Sequence, residues 1–151
     1  MKGMWLRTIS VFIAMVLLSA CSHQPKPTAV ESAKGSFDEL RVAVGETVKD
    51  PARSGELVGL VGELEQAMIE ASEARKVHDA RLRSLNANYD ANEDDFRALF
   101  REFNAKKKER QDRILAIDER TRSLTTDVEW NALSKDVARA LEASVKAEAG
   151  L

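Results

Sequence analysis

Asp90, Asn92 and Asp94 alternate at the spacing of the first three oxygen ligands of a calcium loop. Such a loop also needs a glycine where Asp95 stands and a bidentate glutamate where Arg101 stands, so the pattern fails where calcium chemistry depends on it. The same letters make a good helix start, with Asn92 as the cap, Asp95 three residues on, and acids in a positively polarised first turn. Gly55, Gly59 and Gly62 could suggest a phosphate-cradling loop, but their spacing fits neither the P-loop nor the dinucleotide fingerprint. Close helix packing at Gly59 is the expected reading. The run Lys106-Lys107-Lys108-Glu109-Arg110 is strongly basic, yet the formal net charge is −2. Nucleic acid is therefore not an expected partner, and a solvated helix face is. His78 has no second His or Cys nearby in sequence, which argues against a transition-metal site. With no Ser-His-Asp set, no Cys-His set and no isolated carboxylate pair, neither catalysis, a cofactor nor a bound metal is expected.

The single cysteine excludes an internal disulfide, so its position carries the information. Residues 1–20 have a basic start (Lys2, Arg7), an apolar core from Ile9 to Leu18 and then small residues, the layout of an export signal. That core ends in Leu18-Ser19-Ala20-Cys21, which resembles the lipobox of bacterial lipoproteins. The resemblance implies that Leu18, Ser19 and Ala20 are read by the processing machinery and that Cys21 becomes the acylated first residue. Two or three acyl chains anchor stably where one would be marginal. Loss of Lys2 and Arg7 with the leader would take the formal charge from −2 to −4, so the lipid must do the holding. Ser22, rather than aspartate, follows the cysteine, and by the same resemblance the periplasmic face of the outer membrane is the expected location.

These residues must be positioned by helices, because strand signals are nearly absent and charged residues make up 32% of the chain. Residues 21–35 read as a lipidated cysteine and flexible tether, whose fourteen residues after the cysteine could reach at most about 45–50 Å. His23 lies in that tether. Ser36-Phe37-Asp38-Glu39 is a capping-box pattern, placing the start of the helical domain (36–151) at about residue 36. Asp50-Pro51 predicts a kink or break over residues 50–54.

Two mirrored stripes follow. One runs Leu57, Val61, Leu64, Met68, Ala71, Arg75, His78, Leu82, Leu85, Tyr89, and the other Phe96, Phe100, Phe103, Lys107, Arg110, Ile114, Ile117, Thr121, Leu124, Val128. Folding about residues 88–92 would pair Tyr89 with Phe96, Leu82 with Phe103 and Leu57 with Val128, and would set Arg75 and His78 opposite Arg110 and Lys107. The expected architecture is all-α: a long, coiled-coil-like antiparallel hairpin, with a short first helix and a C-terminal segment thickening or extending its open end. The clustered cations should snorkel outward or find Glu73, Asp79, Glu109 or Asp112. Leu57, Val58, Leu60 and Val61 widen the apolar face at the hairpin's base, which should pack the first helix or the C-terminal segment.

Thr126-Asp127-Val128-Glu129 offers a further helix start, although one helix continuous from about 93 to 148 is equally compatible with the sequence. Extending the mirror register would set Val137, Leu141 and Val145 opposite Val48, Val44 and Leu40, with the first helix prolonging the open end. Leu124-Thr125-Thr126-Asp127-Val128-Glu129-Trp130 resembles the helix-start signature of LTxxQ-type periplasmic chaperones and stress proteins. Only Leu124 and Thr125 match it; Val128 stands at the glutamine position and no second copy occurs, so no function is carried over.

The reading that follows is a lipid-anchored, non-enzymatic interaction or structural component of the bacterial envelope, binding an envelope protein or itself through helix packing. The candidate interaction surface is Arg75, His78, Lys107 and Arg110 with Leu57, Leu60 and Met68. The alternatives are a holdase-like chaperone or stress sensor and, third, a metal-binding protein. Cys21→Ser should abolish metabolic labelling by fatty acid; unchanged labelling would sink the lipobox reading.

Overall fold

The computed structural model describes residues 28–149, so the leader, Cys21 and His23 lie outside the described residues. Four helices follow in order: α1 (Ala29–Thr47), α2 (Pro51–Ala87), α3 (Glu93–Ser123) and α4 (Asp127–Ala149). Among the described residues there is no strand, and no helix is long and apolar enough to cross a membrane.

Local chemistry sets each start. Thr28 Oγ1 accepts from the Glu31 N–H at 3.2 Å while the Glu31 carboxylate accepts from the Thr28 N–H at 2.7 Å, a reciprocal capping box. The first helix therefore begins seven residues before the expected start at Ser36. Ser36 is inside it, its hydroxyl donating to the Ser32 carbonyl. Residues 29–35 belong to the helical domain and not to the tether, because an equivalent box upstream extends the helix through Ala29, Val30 and Ala33. Asp50 caps α2 by accepting from the Arg53 N–H at 2.7 Å, with Pro51 in the first turn where it needs no donor. Asn92 and Asp95 form the box that starts α3. Thr126 and Glu129 form the one that starts α4, so α3 and α4 are separate helices.

The connections 48–50 and 124–126 are three residues long, and each reverses the chain. Three cross-helix ion pairs run down the α2–α3 hairpin like rungs: Arg81–Glu102, Glu70–Arg113 and Glu56–Arg120. Exposed pairs of this kind contribute about 0–1 kcal/mol each, so their value here lies in fixing register. Arg41 bonded to Glu65 holds α1 antiparallel to α2, and Arg139 beside Glu39 holds α4 antiparallel to α1. Arg53 donates to Glu129 and to the Leu124 carbonyl, closing the base. The Arg53 bond, then that from the Thr126 backbone, holds the Glu129 carboxyl down to about 2.

The core lies in this four-helix half. Phe37, Leu40, Val44 and Val48 supply one stripe, Leu57, Leu60, Val61 and Leu64 the second, with Ile117, Leu133 and Ala140 completing it. α1 packs chiefly on α4 and next on α2, and α2 on α3. The first helix thus folds back across the hairpin's open end. It thickens that end and does not prolong it, because three residues after Thr47 leave no length for anything but a tight reversal.

Several expected contacts give way to others. Tyr89 lies beyond the end of α2 and is fully exposed, so it does not meet Phe96. Val128 is 80% exposed, because ending α3 at Ser123 resets the phase of the following helix; Leu57 is covered by other core residues. Leu99, absent from the expected stripe, is 3% exposed, while Phe100 beside it is 43% exposed. The smaller aliphatic fills the seam and the ring flanks it.

Nor does Gly59 admit a neighbouring backbone: a β-carbon there, or at Gly55, would have nothing within 4 Å. These glycines face outward on α2, where they cost helix stability and gain no packing. Gly59→Ala should therefore stabilise the fold by about 0.5–1 kcal/mol in urea denaturation. A destabilised variant would restore the close-packing reading.

Candidate functional site

α1 and α4 stop near the level of Arg75 and Lys76, short of the hairpin tip. Val30 and Lys34 of α1, with Ala147 and Glu148 of α4, line the same groove as Met68, Ile69, Ser72 and Lys76 of α2. Beyond that level the fold is two helices thick, an arm made of the end of α2, the turn 88–92 and the start of α3. Two helices cannot enclose what four can, and the polar layer of the seam falls at the junction.

A groove of about 480 Å³ opens there, lined by Ala71, Arg75, His78 and Asp79 of α2, by Phe103, Lys107, Arg110, Gln111 and Ile114 of α3, and by Glu148 of α4. The four cationic or imidazole side chains expected to coincide do so. Leu57 and Leu60 are not part of this surface: they are 1% and 9% exposed and belong to the core, because α1 and α4 cover the widened face. Met68 is half-buried and lines the neighbouring groove of about 330 Å³.

The four residues resolve their charge differently. Arg75 bonds Glu148 at 3.1 Å, a partner 73 residues away, in place of Glu73 or Asp79. His78 does not snorkel. Its ring stacks on Phe103 with centroids 4.1 Å apart, approaches Phe100 at 5.4 Å, and is 9% exposed. A planar imidazole ring packs among aromatic rings as a long ammonium stem cannot. Packing leaves His78 Nδ1 sealed and without a hydrogen-bond partner, the one such side-chain atom among the described residues. Lys107 and Arg110 have no carboxylate within ion-pair distance among the described residues, although Arg110 is half-buried.

Neighbouring cations are occupied. Arg113 bonds Glu70 and holds its carboxyl below the usual range, with Gln66 adding to the effect and Arg110 acting only through its field. Arg81, then Lys106, lowers Glu102 in the same way. The arrangement has a basic rim above a floor of Ala71, Phe103 and Ile114, and it holds charge without a nucleophile–base pair. No group of three or more metal-ligating side chains occurs among the described residues. At the tip, Asn92 and Asp95 spend their side chains on capping.

Sequence spacing found Arg75, His78, Lys107 and Arg110. It missed Glu148, because nothing local shows that α4 runs back beside α2, and it missed Phe100 as a lateral wall for His78. Comparison with protein-family models, characterised sequences and solved structures finds no match for this chain.

A buried ring nitrogen without a partner carries a desolvation cost that a carbon ring would not. His78→Phe should leave stability unchanged or raise it by up to about 1 kcal/mol in chemical denaturation. A loss beyond about 2 kcal/mol, the scale of a broken buried hydrogen bond, would show that the imidazole has a structural partner.

Proposed function

We propose that this protein is a lipid-anchored component of the bacterial envelope that acts by binding, without catalysis, and that the two-helix arm is its contact element. The observation that supports this most is the position of the arm relative to the start of α1. α1 begins level with Lys76 of α2, and the remaining eleven residues of α2 extend about 17 Å further in the same direction. Six residues lie between Cys21 and Thr28, so seven residue steps span at most about 25 Å. An acyl anchor at Cys21 would then hold the bundle with its arm directed back toward the anchoring membrane. The partner on this reading is a protein exposed at that same membrane surface, contacted by the arm's open side chains. Tyr89, Val77 and Phe100 are the large ones, at 104%, 59% and 43% exposure. Ser22 favours the outer membrane for that surface.

The second reading, a holdase, draws on the other groove. Val30 and Ile69 at its edge are 67% and 46% exposed beside Phe37 and Met68, an apolar surface an unfolded client could use. Suppression of client light scattering at stoichiometric protein would favour it over the arm.

A photo-crosslinking amino acid at Tyr89 tests the leading reading in intact envelopes. The expected result is a discrete adduct with a membrane-resident protein, lost when the crosslinker is moved to exposed Val42 on α1. An adduct of twice the chain's mass would assign the arm to self-association. Absence of any specific adduct would count against the arm as the contact element.

A further inference from the structure

We infer that the junction groove binds a single-chain amphiphilic anion, its oxyanion head held by Lys107 and Arg110 and its hydrocarbon laid over Ala71, Phe103 and Ile114. The inference does not depend on lipidation of Cys21. Arg110 is the first ground for it. A half-buried guanidinium with no carboxylate at ion-pair distance has lost part of its hydration, and Glu70 acts on it only through its field, an arrangement that an incoming anion completes. Lys107, one helical turn earlier on the same face, adds a second unpaired cation to the same rim.

His78 is the second ground. Nδ1 is sealed without a hydrogen-bond partner. In the neutral ring, placing the hydrogen on Nδ1 would bury a donor with no acceptor, so the Nε2–H tautomer is favoured. That tautomer leaves the donor on Nε2 of a side chain that lines the groove.

The remaining lining narrows the ligand class. Arg75 is bonded to Glu148 and neutralised by it, and Asp79 stands on the rim with no ion-pair partner among the described residues. Asp79 repels an anionic head from the α2 side and leaves the α3 side, where Lys107 and Arg110 stand. A bare oxyanion would leave the apolar floor uncovered. An extended peptide would find only helices whose backbone donors and acceptors are already satisfied, with no edge to pair against. An amphiphile needs no backbone partners, and its chain covers the floor that two helices leave open. Carboxylate and phosphate monoester heads share this chemistry.

The test uses the full chain in intact cells with an alkynyl fatty acid carrying a diazirine in its hydrocarbon, followed by peptide mapping of the adducts. Adducts should concentrate on the segments around Ala71–Asp79 and Phe103–Ile114. Excess laurate and dodecyl phosphate should compete, and dodecylamine should not. Lys107→Gln combined with Arg110→Gln should lower labelling by about tenfold, the scale of one lost charge-assisted hydrogen bond, at unchanged helicity and thermal midpoint. Arg110→Lys, which keeps the charge, should retain more labelling than Arg110→Gln. Labelling spread over Val30 and Ile69, indifference to the double substitution, or equal competition by dodecylamine would overturn the proposal. Equal competition by inorganic phosphate would also overturn it, because an oxyanion alone would then suffice.

Discussion

Burial of one narrow stripe on α1 constrains everything else in this fold. Phe37, Leu40 and Val44, with Val48 at the C-cap, are each no more than 2% exposed, on a helix whose other faces are largely charged or solvated. Each such side chain contributes about 1.5–3 kcal/mol when removed from water, and 19 residues of isolated helix would gain none of it. The hairpin offers one wall, through Leu57, Leu60, Val61 and Leu64. A second wall requires α4, so α4 must run back along α1 and bring Leu133 and Ala140 with it. The Arg53–Glu129 contact at the base and the Arg75–Glu148 contact at the other end mark the extent of that return.

The length of this stripe also fixes where enclosure stops. α1 has 19 residues and α4 has 23, against 37 and 31 in the hairpin, so the hairpin must outrun its covers. What remains is an arm with a thin interior. Leu99 is its one fully buried aliphatic, and His78 is held between rings where a larger fold would place another aliphatic residue. The basic layer sits at this change of thickness. Deeper in the bundle Arg110 would be too costly to bury, and farther out it would be fully hydrated; at the junction it is half-covered and unpaired. The two proposed roles, contact through the arm and capture of an amphiphilic anion beside its root, both arise from this mismatch of lengths.

Much of this is legible in the sequence. The breaks at Asp50-Pro51, at 88–92 and at Thr126 are written in short-range chemistry, since a cap needs only a side-chain oxygen and a backbone donor two or three residues on. The coincidence of Arg75 and His78 with Arg110 and Lys107 followed from heptad spacing alone. The start of α1 was misplaced because Thr28–Glu31 and Ser36–Glu39 are both sound boxes, and the choice between them depends on whether Val30 and Ala33 find something to pack against. Tyr89 and Val128 were misassigned for a related reason, because a stripe extrapolated through a helix end ignores the rotation that the turn introduces.

The sequence by itself determined the all-helical class, the hairpin with its turn at 88–92 and the basic layer in its seam, because these depend on contacts within a few residues or on a repeating period; it left open whether the chain breaks at Thr126. Its Leu18-Ser19-Ala20-Cys21 motif supplied the expectation of a lipid anchor, on which the fold is silent. Only the tertiary structure decided that α1 and α4 fold back and thicken the open end. Only it placed Glu148 on Arg75, sealed His78 Nδ1 and left Arg110 half-buried without a partner. Those outcomes rest on which surfaces compete to bury the same apolar stripe. That competition is settled by shape and length across the whole molecule and leaves no local mark in the chain.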